Sequence, residues 1–187
     1  MRVISGSLRG RTLAAPKSRS IRPTADRLRE ALFNILVHAY DNPIIGARVL
    51  DLFAGTGALG IEALSRGAAF TLFIDDGAEA RALLRENTAA LGLGGNSRIF
   101  RRDATKLGPA HPVEPFSLAF LDPPYGQQLA EKSLASARAG AWFALGALVV
   151  VEEAVKSAFA APEGFTELER RRYDDTEFVF LRFANPA

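Results

Sequence analysis

Cysteine is absent from this 187-residue chain, and histidine is nearly so. Without cysteine there can be no disulfide, no thiolate metal site and no cysteine nucleophile, which is typical of a protein from a reducing compartment. The two histidines are His38 and His111. A histidine-rich metal site and a Ser-His-Asp triad are therefore not expected, and no metal is predicted.

Long apolar runs are missing as well. The longest, residues 141–151, is too short to cross a bilayer and is followed by Glu152 and Glu153. The first six residues lack the apolar segment of a secretory signal. With 48% apolar and 24% charged residues, the composition predicts a packed core. We expect a single cytoplasmic domain over 1–187, monomeric and without membrane contact.

Positive charge is concentrated at the amino-terminal end. Residues 1–30 carry eight basic and two acidic side chains, although the net charge of the whole chain is only +2. This asymmetry indicates a polyanionic partner, and a solvated arm is the alternative. The first aromatic residue is Phe33, so the segment offers charges for phosphates rather than rings for bases. The candidate contacts are Arg2, Arg9, Arg11, Lys17, Arg19 and Arg22.

The apolar pattern predicts an α/β fold. Residues 1–23 should form a small, basic β-hairpin (2–5 with 11–13) and a linker, and 24–187 the core, which opens on a helix capped by Thr24. Strands at 48–53, 69–74, 97–101, 116–121 and 147–151 then alternate with helices at 58–65, 78–91 and 128–142. This order predicts a mostly parallel sheet that is covered on both faces. Strands at 165–173 and 177–183 should close it as an antiparallel hairpin.

A glycine loop follows the first core strand. Gly55 to Gly60 fit the pattern G-x-G-x-x-G, and Asp75 lies at the end of the next strand, as in a dinucleotide site. A NAD-dependent oxidoreductase is therefore one interpretation. However, a carboxylate at Asp51 would repel a pyrophosphate, and no second domain is expected that could hold a hydride acceptor. Asp51 suits a cationic ligand better, such as the ammonium and sulfonium groups of S-adenosylmethionine (SAM).

Two more loops carry polar residues at the same predicted edge of the sheet. Asp103 and Ala104 follow strand 97–101, where the carboxylate and the Ala104 N–H would suit an adenine, but Asp103 would equally suit the cap of a short helix. The motif Asp122-Pro123-Pro124-Tyr125 (D-P-P-Y) follows strand 116–121. Neither proline can extend a sheet ladder, so this turn should be stiff.

The order of Asp51, glycine loop, Asp75 and D-P-P-Y resembles that of N-methyltransferases. The segment R-P-T-A-D-R-L-R-E at 22–30 narrows the resemblance to the ribosomal RNA small subunit methyltransferase D family, over nearly the whole chain. The resemblance implies a Rossmann-like, class I SAM-dependent methyltransferase fold with a seven-stranded sheet. It also implies SAM as cofactor, S-adenosylhomocysteine as product, and methylation of the exocyclic N2 amine of one guanine in 16S rRNA within the small ribosomal subunit.

Site residues are implied too. The basic arm would contact the rRNA, and the acid that meets the ribose, usually glutamate in this family, is Asp75 here. The residues expected at the cofactor are Thr24, Arg27, Asp51, Phe53, Ala54, Gly55, Gly57, Asp75, Asp103 and Ala104.

The D-P-P-Y loop is expected to hold the target amine. Asp122 and the backbone carbonyl of Pro123 would each accept one N–H, and Tyr125 would stack on the base. Adenine-N6 methylation of DNA or RNA would use the same Asp122 chemistry and stays an alternative. A NAD-dependent oxidoreductase and a non-catalytic RNA-binding chaperone are further alternatives.

Overall fold

The computed structural model describes residues 1–16 and 23–184, without the side chains of Pro23 and Thr24. In this part of the chain, four α-helices span Pro23–Ala39 (α1), Ala58–Ser65 (α2), Ala78–Ala90 (α3) and Leu129–Ala139 (α4). The strands are Arg48–Leu52 (β1), Phe70–Ile74 (β2), Ser97–Phe100 (β3), Phe116–Leu121 (β4), Phe143–Ala154 (β5), Phe165–Tyr173 (β6) and Thr176–Phe183 (β7).

The strands form one sheet of seven in the order β3-β2-β1-β4-β5-β7-β6. Neighbouring strands from β3 to β5 are parallel, whereas β7 runs antiparallel to both β5 and β6. The predicted α/β fold with a closing antiparallel hairpin is confirmed.

Each face of the sheet is buried against a different group of helices. Because side chains alternate along a strand, Val49 joins the core that contains Phe33 of α1, Ile61 of α2 and Leu84 of α3. Leu50 joins the core on the other face, together with residues of α4 such as Leu134. The period-two alternation also directs Asp51 toward the α2 face, beneath the glycine loop.

Four predicted elements differ from the structure by more than one residue. The helix predicted to be capped by Thr24 already begins at Pro23. The helix predicted to reach 142 ends at Ala139, because Ala141 takes a left-handed backbone conformation (φ 59°). The strand predicted at 147–151 extends instead from Phe143 to Ala154. The amino-terminal hairpin reduces to a single bridge between Arg2 and Thr12.

The hairpin is short because the backbone after Val3 bonds to α2. The N–H groups of Ile4 and Ser5 donate to the two carboxylate oxygens of Glu62, at 2.8 and 3.0 Å. Ser7 N–H donates to the carbonyl of Ser65 at 2.8 Å. The amino-terminal segment is thus packed on α2 and also pairs with itself, since Val3 N–H donates to the carbonyl of Arg11 at 2.9 Å and Leu13 N–H to that of Met1 at 3.0 Å.

Candidate active site

The predicted ligand loops meet at one edge of the sheet. Leu52 pairs with Ile74 and Leu121, and Leu121 pairs with Val151, so the parallel strands end side by side. We call this the carboxyl edge. It brings together the glycine loop, Asp75, the D-P-P-Y loop and the end of β5, where open α/β sheets bind ligands.

The glycine loop turns sharply as soon as β1 ends. Phe53 adopts φ 59°, a left-handed conformation that is uncommon for a residue with a side chain. Gly55 and Gly57 follow with φ of 58° and 82°. A Cβ on Gly57 would lie 2.6 Å from the Leu84 side chain, which would have to shift to make room for it. Gly55 has open space around its missing side chain, which leaves its backbone accessible to a ligand.

Asp75 joins two loops at the end of β2. One carboxylate oxygen accepts the N–H of Gly55 at 2.9 Å, and the other accepts the N–H of Gly77 at 2.8 Å. The side chain is half-buried. Each oxygen has a further lone pair with which it can accept a hydroxyl donor. Asp76, next to it, is exposed.

Asp51 lies beneath the glycine loop. It is 2% exposed, and its carboxyl group accepts the N–H of Gly60 at 2.9 Å. Burial raises the pKa of Asp51 to about 8; the hydrogen bond from Gly60 acts against this rise and the nearby charge of Asp75 adds to it. A positive charge brought near this carboxyl group would favour its ionised form.

Asp103 acts as a helix cap. Its Oδ1 accepts the backbone N–H of Thr105 at 2.8 Å and the Thr105 hydroxyl at 2.7 Å, and these bonds hold the pKa of Asp103 below its usual range. The carboxylate is exposed at the carboxyl edge, whereas Ala104 is buried. The structure therefore contains the cap, and a contact with adenine stays a prediction.

The D-P-P-Y loop follows β4 and contains both exposed and buried residues. Asp122 is exposed, Pro123 is buried, and Tyr125 is 42% exposed. The Tyr125 hydroxyl donates to Glu152 at 2.9 Å. Burial, with the nearby charge of Glu152, raises the pKa of Tyr125, so the phenol stays protonated and remains a donor. The aromatic ring is thereby tied to β5 in the same loop as the exposed carboxylate.

Two glutamates outside the predicted site support this loop from β5. Glu152 accepts from Tyr125, and burial raises its pKa. Glu153 is 2% exposed, and a single carboxylate oxygen accepts from Gly126 N–H (3.3 Å), Ala154 N–H (2.9 Å) and the Ser157 hydroxyl (2.9 Å). Their only signal in the sequence is a pair of acids directly after an apolar run.

Comparisons with known proteins show the family of this chain. The family model of conserved hypothetical protein 95 matches residues 1–182. Ribosomal RNA small subunit methyltransferase D of Escherichia coli (strain K12) is 37% identical over 172 residues, which are 92% of this chain and 84% of that protein. The protein of that name from Buchnera aphidicola subsp. Acyrthosiphon pisum is 31% identical over 90% of this chain and 86% of its own.

The chain belongs to the ribosomal RNA small subunit methyltransferase D family.

Solved structures are similar over the whole length. The Escherichia coli protein yhhF has 31% identity and a TM-score of 0.82, and the alignment covers 100% of this chain and 99% of that one. The hypothetical protein TTHA0928 of Thermus thermophilus has 32% identity and a TM-score of 0.73, with 96% and 98% covered. The family resemblance inferred from the motifs is confirmed.

The basic residues of the amino-terminal segment that the structure describes are on the surface. Arg2, Arg9 and Arg11 are exposed, and Arg11 donates to the carbonyl of Ala90 at 2.9 Å. Lys17, Arg19 and Arg22 lie outside the described residues. Rather than a free arm, the described segment is a docked surface patch, and its contact with RNA stays a prediction.

This docked segment also contacts the glycine loop. Asn87 of α3 is buried, and it donates to the carbonyls of Ala14 and Thr56 at 3.1 and 2.9 Å. Its own carbonyl accepts the N–H of Ala14 at 2.7 Å. No pattern in the sequence distinguished Asn87 from the other polar residues of its helix.

Two residues of α1, Thr24 and Arg27, are also predicted to contact the cofactor. The side chain of Thr24 is outside the described part of the structure. Arg27 is exposed and lines a groove with Arg172, Tyr173 and Asp174, none of which belongs to the glycine loop. A contact between Arg27 and the cofactor therefore stays a prediction.

Over residues 1–16 and 23–184, no cluster of His, Asp or Glu side chains is arranged to hold a metal ion. Within the same ranges, no helix has the length and apolar character needed to span a membrane.

Proposed function

We propose that this chain transfers a methyl group from SAM to the exocyclic N2 amine of a guanine in 16S rRNA of the small ribosomal subunit. The observation that carries the proposal is the D-P-P-Y loop at the carboxyl edge. It presents an exposed carboxylate, a stiff turn and a held aromatic ring next to the glycine loop. Relatives named for rRNA methylation support the RNA substrate.

The polar groups of the glycine loop fit an adenosine-bearing, cationic cofactor. Gly55 leaves its backbone open to a ligand, and Asp75 has acceptor capacity for ribose hydroxyls. Below the loop, Asp51 is a carboxyl group whose ionised form a positive charge would stabilise. When bound, SAM would supply a methyl group activated by its sulfonium.

The sheet supports this cofactor over a nicotinamide dinucleotide. The usual dinucleotide fold has strand order 3-2-1-4-5-6 in a mostly parallel sheet. Here the reversed strand β7 lies between β5 and β6. An acid under the glycine loop would also be unfavourable for a pyrophosphate.

Catalysis in this proposal is largely positioning. A guanine amine is a weak nucleophile because its lone pair is delocalised into the ring. Asp122 and the carbonyl of Pro123 would accept its two N–H groups, which aims the lone pair at the methyl group. Asp122 would also stabilise the positive charge that develops on the nitrogen, and the proton would leave after transfer. Tyr125 would stack on the base once it has left its neighbours in the RNA.

Tritiated methyl transfer from SAM to small subunits that lack the modification, followed by mapping of the labelled nucleotide, tests the proposal. We expect label on one guanine N2 with the wild-type protein and at least about tenfold slower labelling with Asp122→Asn, which keeps an acceptor oxygen but loses the negative charge, and whose affinity for SAM should be unchanged. Asp41→Asn, an exposed acid in the turn after α1, is the matched control and should behave as wild type. Label on adenine N6 would replace guanine as the target, and full activity of Asp122→Asn would overturn the mechanism.

A further inference from the structure

Helix α3 directs a buried polar side chain, that of Asn87, toward the glycine loop. Leu84, Asn87 and Thr88 are buried on this helix, at the spacing of one helical face. The Leu84 side chain lies against Gly57, so this face packs against the loop. An amide in such a position is removed from water and needs hydrogen-bond partners within the protein.

Both ends of the Asn87 amide have partners. Its nitrogen donates to the carbonyl of Ala14 at 3.1 Å and to that of Thr56 at 2.9 Å, and its oxygen accepts the N–H of Ala14 at 2.7 Å. Since an amide nitrogen has two N–H groups, both of its donors are in use. Ala14 and Thr56 are 73 and 31 residues away in the chain. One side chain therefore joins the amino-terminal segment to the glycine loop.

The bond to Thr56 holds the loop where a ligand can approach it. The peptide group between Thr56 and Gly57 is fixed at both ends, because its carbonyl accepts from Asn87 and its N–H donates within the loop at 2.7 Å. On the other side, Gly55 N–H donates to Asp75 at 2.9 Å. Gly55, whose backbone is open to a ligand, thus lies between two peptide groups that are held in place.

The amino-terminal segment reaches the same loop by a second contact. The hydroxyl of Thr56 lies 3.7 Å from the sulfur of Met1. Met1 and Ala14 are close to each other, because the carbonyl of Met1 accepts the N–H of Leu13 at 3.0 Å. The two ends of the segment therefore meet beside Thr56, one in direct contact and the other through Asn87.

A buried asparagine can also serve stability alone, by pairing with backbone groups of a docked segment. Thr88, the next residue, shows how a buried polar group on this helix is satisfied locally. It is 7% exposed, and its hydroxyl donates to the carbonyls of Leu84 and Arg85, at 2.8 and 3.3 Å. Thr88 bonds within its own helix, whereas Asn87 gives one of its two donors to the glycine loop. The two neighbours form a matched pair for an experiment.

We propose that Asn87 is a positioning residue for the cofactor. It acts through the glycine loop, by holding the Thr56 carbonyl so that the backbone of Gly55 stays open to the ligand. It also attaches the amino-terminal segment to the cofactor site, which gives that segment a role besides its proposed contact with RNA. The inference rests on the proposed function, since the ligand of the loop is the SAM of that proposal.

The test is Asn87→Ala in the full chain. SAM affinity is measured by calorimetry, the KM for SAM and kcat by methyl transfer, and the free energy of unfolding by urea denaturation. We expect SAM to bind at least about tenfold more weakly, because two carbonyls lose their donor and the Thr56 peptide can turn. The KM for SAM should rise by a similar factor, while kcat at saturating SAM should stay within about threefold of the wild type.

Hydrogen exchange gives a readout that needs no cofactor. In Asn87→Ala the N–H groups of Gly55 and Gly57 should exchange faster than in the wild type, because the loop is released on one side. Asn87→Ser has one O–H donor in place of two N–H donors and should show the same changes to a smaller extent. It replaces the alanine variant if that protein does not fold.

Thr88→Ala is the matched control. It removes a buried hydroxyl from the adjacent position of α3, so the free energy of unfolding should fall. The SAM affinity and the exchange of the loop N–H groups should match the wild type. This comparison separates an effect on the cofactor site from a general loss of stability.

Wild-type SAM affinity and loop exchange in both Asn87 variants would overturn the proposal and leave Asn87 as a residue of the core. An equal loss of SAM affinity in Thr88→Ala would overturn it too, because the effect would then follow stability. A lower kcat with an unchanged KM for SAM would also contradict it. The proposed function fails separately, when the wild-type protein binds no SAM or transfers no methyl group. Hydrogen exchange in the variants and the control then still decides whether Asn87 positions the loop.

Discussion

The hydroxyl of Tyr125 donates a hydrogen bond to Glu152 across 2.9 Å, so the aromatic ring of the D-P-P-Y loop is fixed to the end of β5. The loop follows β4, which pairs with β5 in the sheet. Glu153 of β5 makes a second connection by accepting the N–H of Gly126. The stiffness of the loop therefore comes from two sources, its prolines and the pair of glutamates on the adjacent strand.

Substitutions at Tyr125 should distinguish the contribution of its ring to methyl transfer from that of its hydroxyl. Tyr125→Phe keeps the stacking surface and loses one partly exposed hydrogen bond, worth about 1 kcal/mol, so kcat should fall at most about fivefold. Tyr125→Ala loses the stacking, worth about 1–3 kcal/mol per base, and should reduce kcat/KM by roughly tenfold or more. Steady-state methyl transfer at saturating SAM measures both. Equal activity of Tyr125→Ala and wild type would exclude the stacking role.

Much of the site could be predicted because its signals are local. Strand β1 is a short apolar run, the glycines follow it directly, and parallel strands place the next loops at one edge. Asp51, Asp75 and Asp122 were singled out for their positions at strand ends, and the structure brings these positions to the carboxyl edge.

The missed residues depend on contacts between distant parts of the chain. Glu152 and Glu153 belong to β5 because β5 continues to pair with β7 as far as Ala154 and Thr176. Glu62 accepts from backbone groups 58 and 57 residues away, and a pattern of apolar residues does not show which acid will bond to a distant backbone. For this reason the sequence predicts the short amino-terminal hairpin but not its docking on α2.

Asp75 and Asp76 should differ sharply although they are neighbours. The two Asp75 oxygens accept from Gly55 and Gly77, and an amide has only one acceptor oxygen, so Asp75→Asn leaves one glycine N–H without its acceptor. We expect a loss of about 1–3 kcal/mol in the free energy of unfolding and at least roughly tenfold weaker SAM binding. Asp76→Asn alters an exposed side chain and is the control. Calorimetry with SAM measures the difference, and similar affinities in the two variants would assign the ribose contact elsewhere.

Asp51 should make the free energy of unfolding decrease as the pH rises. Its pKa is about 8 in the folded protein against an ordinary value of 3.8, so the folded state holds a proton that the unfolded chain releases. The resulting stabilisation is fully present below about pH 4 and is lost as the pH rises to about 8. In Asp51→Asn the amide oxygen can still accept from Gly60, and this pH dependence should disappear. The two unfolding free energies should diverge by on the order of a few kcal/mol over this range, measured by urea denaturation. Parallel pH profiles for the two proteins would contradict the raised pKa.

Two glycines of the amino-terminal segment provide a matched test of its docking on α2. Gly6 and Gly10 have nearly the same backbone conformation, with φ of 85° and 82°. A Cβ on Gly6 would lie 1.9 Å from the carbonyl oxygen of Ser65, whereas a Cβ on Gly10 would meet nothing within 4 Å. Gly10→Ala should therefore cost only the left-handed conformation, about 1–2 kcal/mol. Gly6→Ala should cost about 3 kcal/mol or more, because the segment must also move away from α2.

The displaced segment should also expose its own backbone. In Gly6→Ala the N–H groups of Ile4 and Ser5 lose Glu62 as acceptor, so their hydrogen exchange should become faster, while in Gly10→Ala it should stay near the wild-type rate. Since Met1 and Ala14 of this segment contact Thr56 and Asn87, the disturbance should reach the glycine loop and weaken SAM binding in the first variant alone. Equal unfolding free energies for the two variants would show that contact with Ser65 does not hold the segment in place.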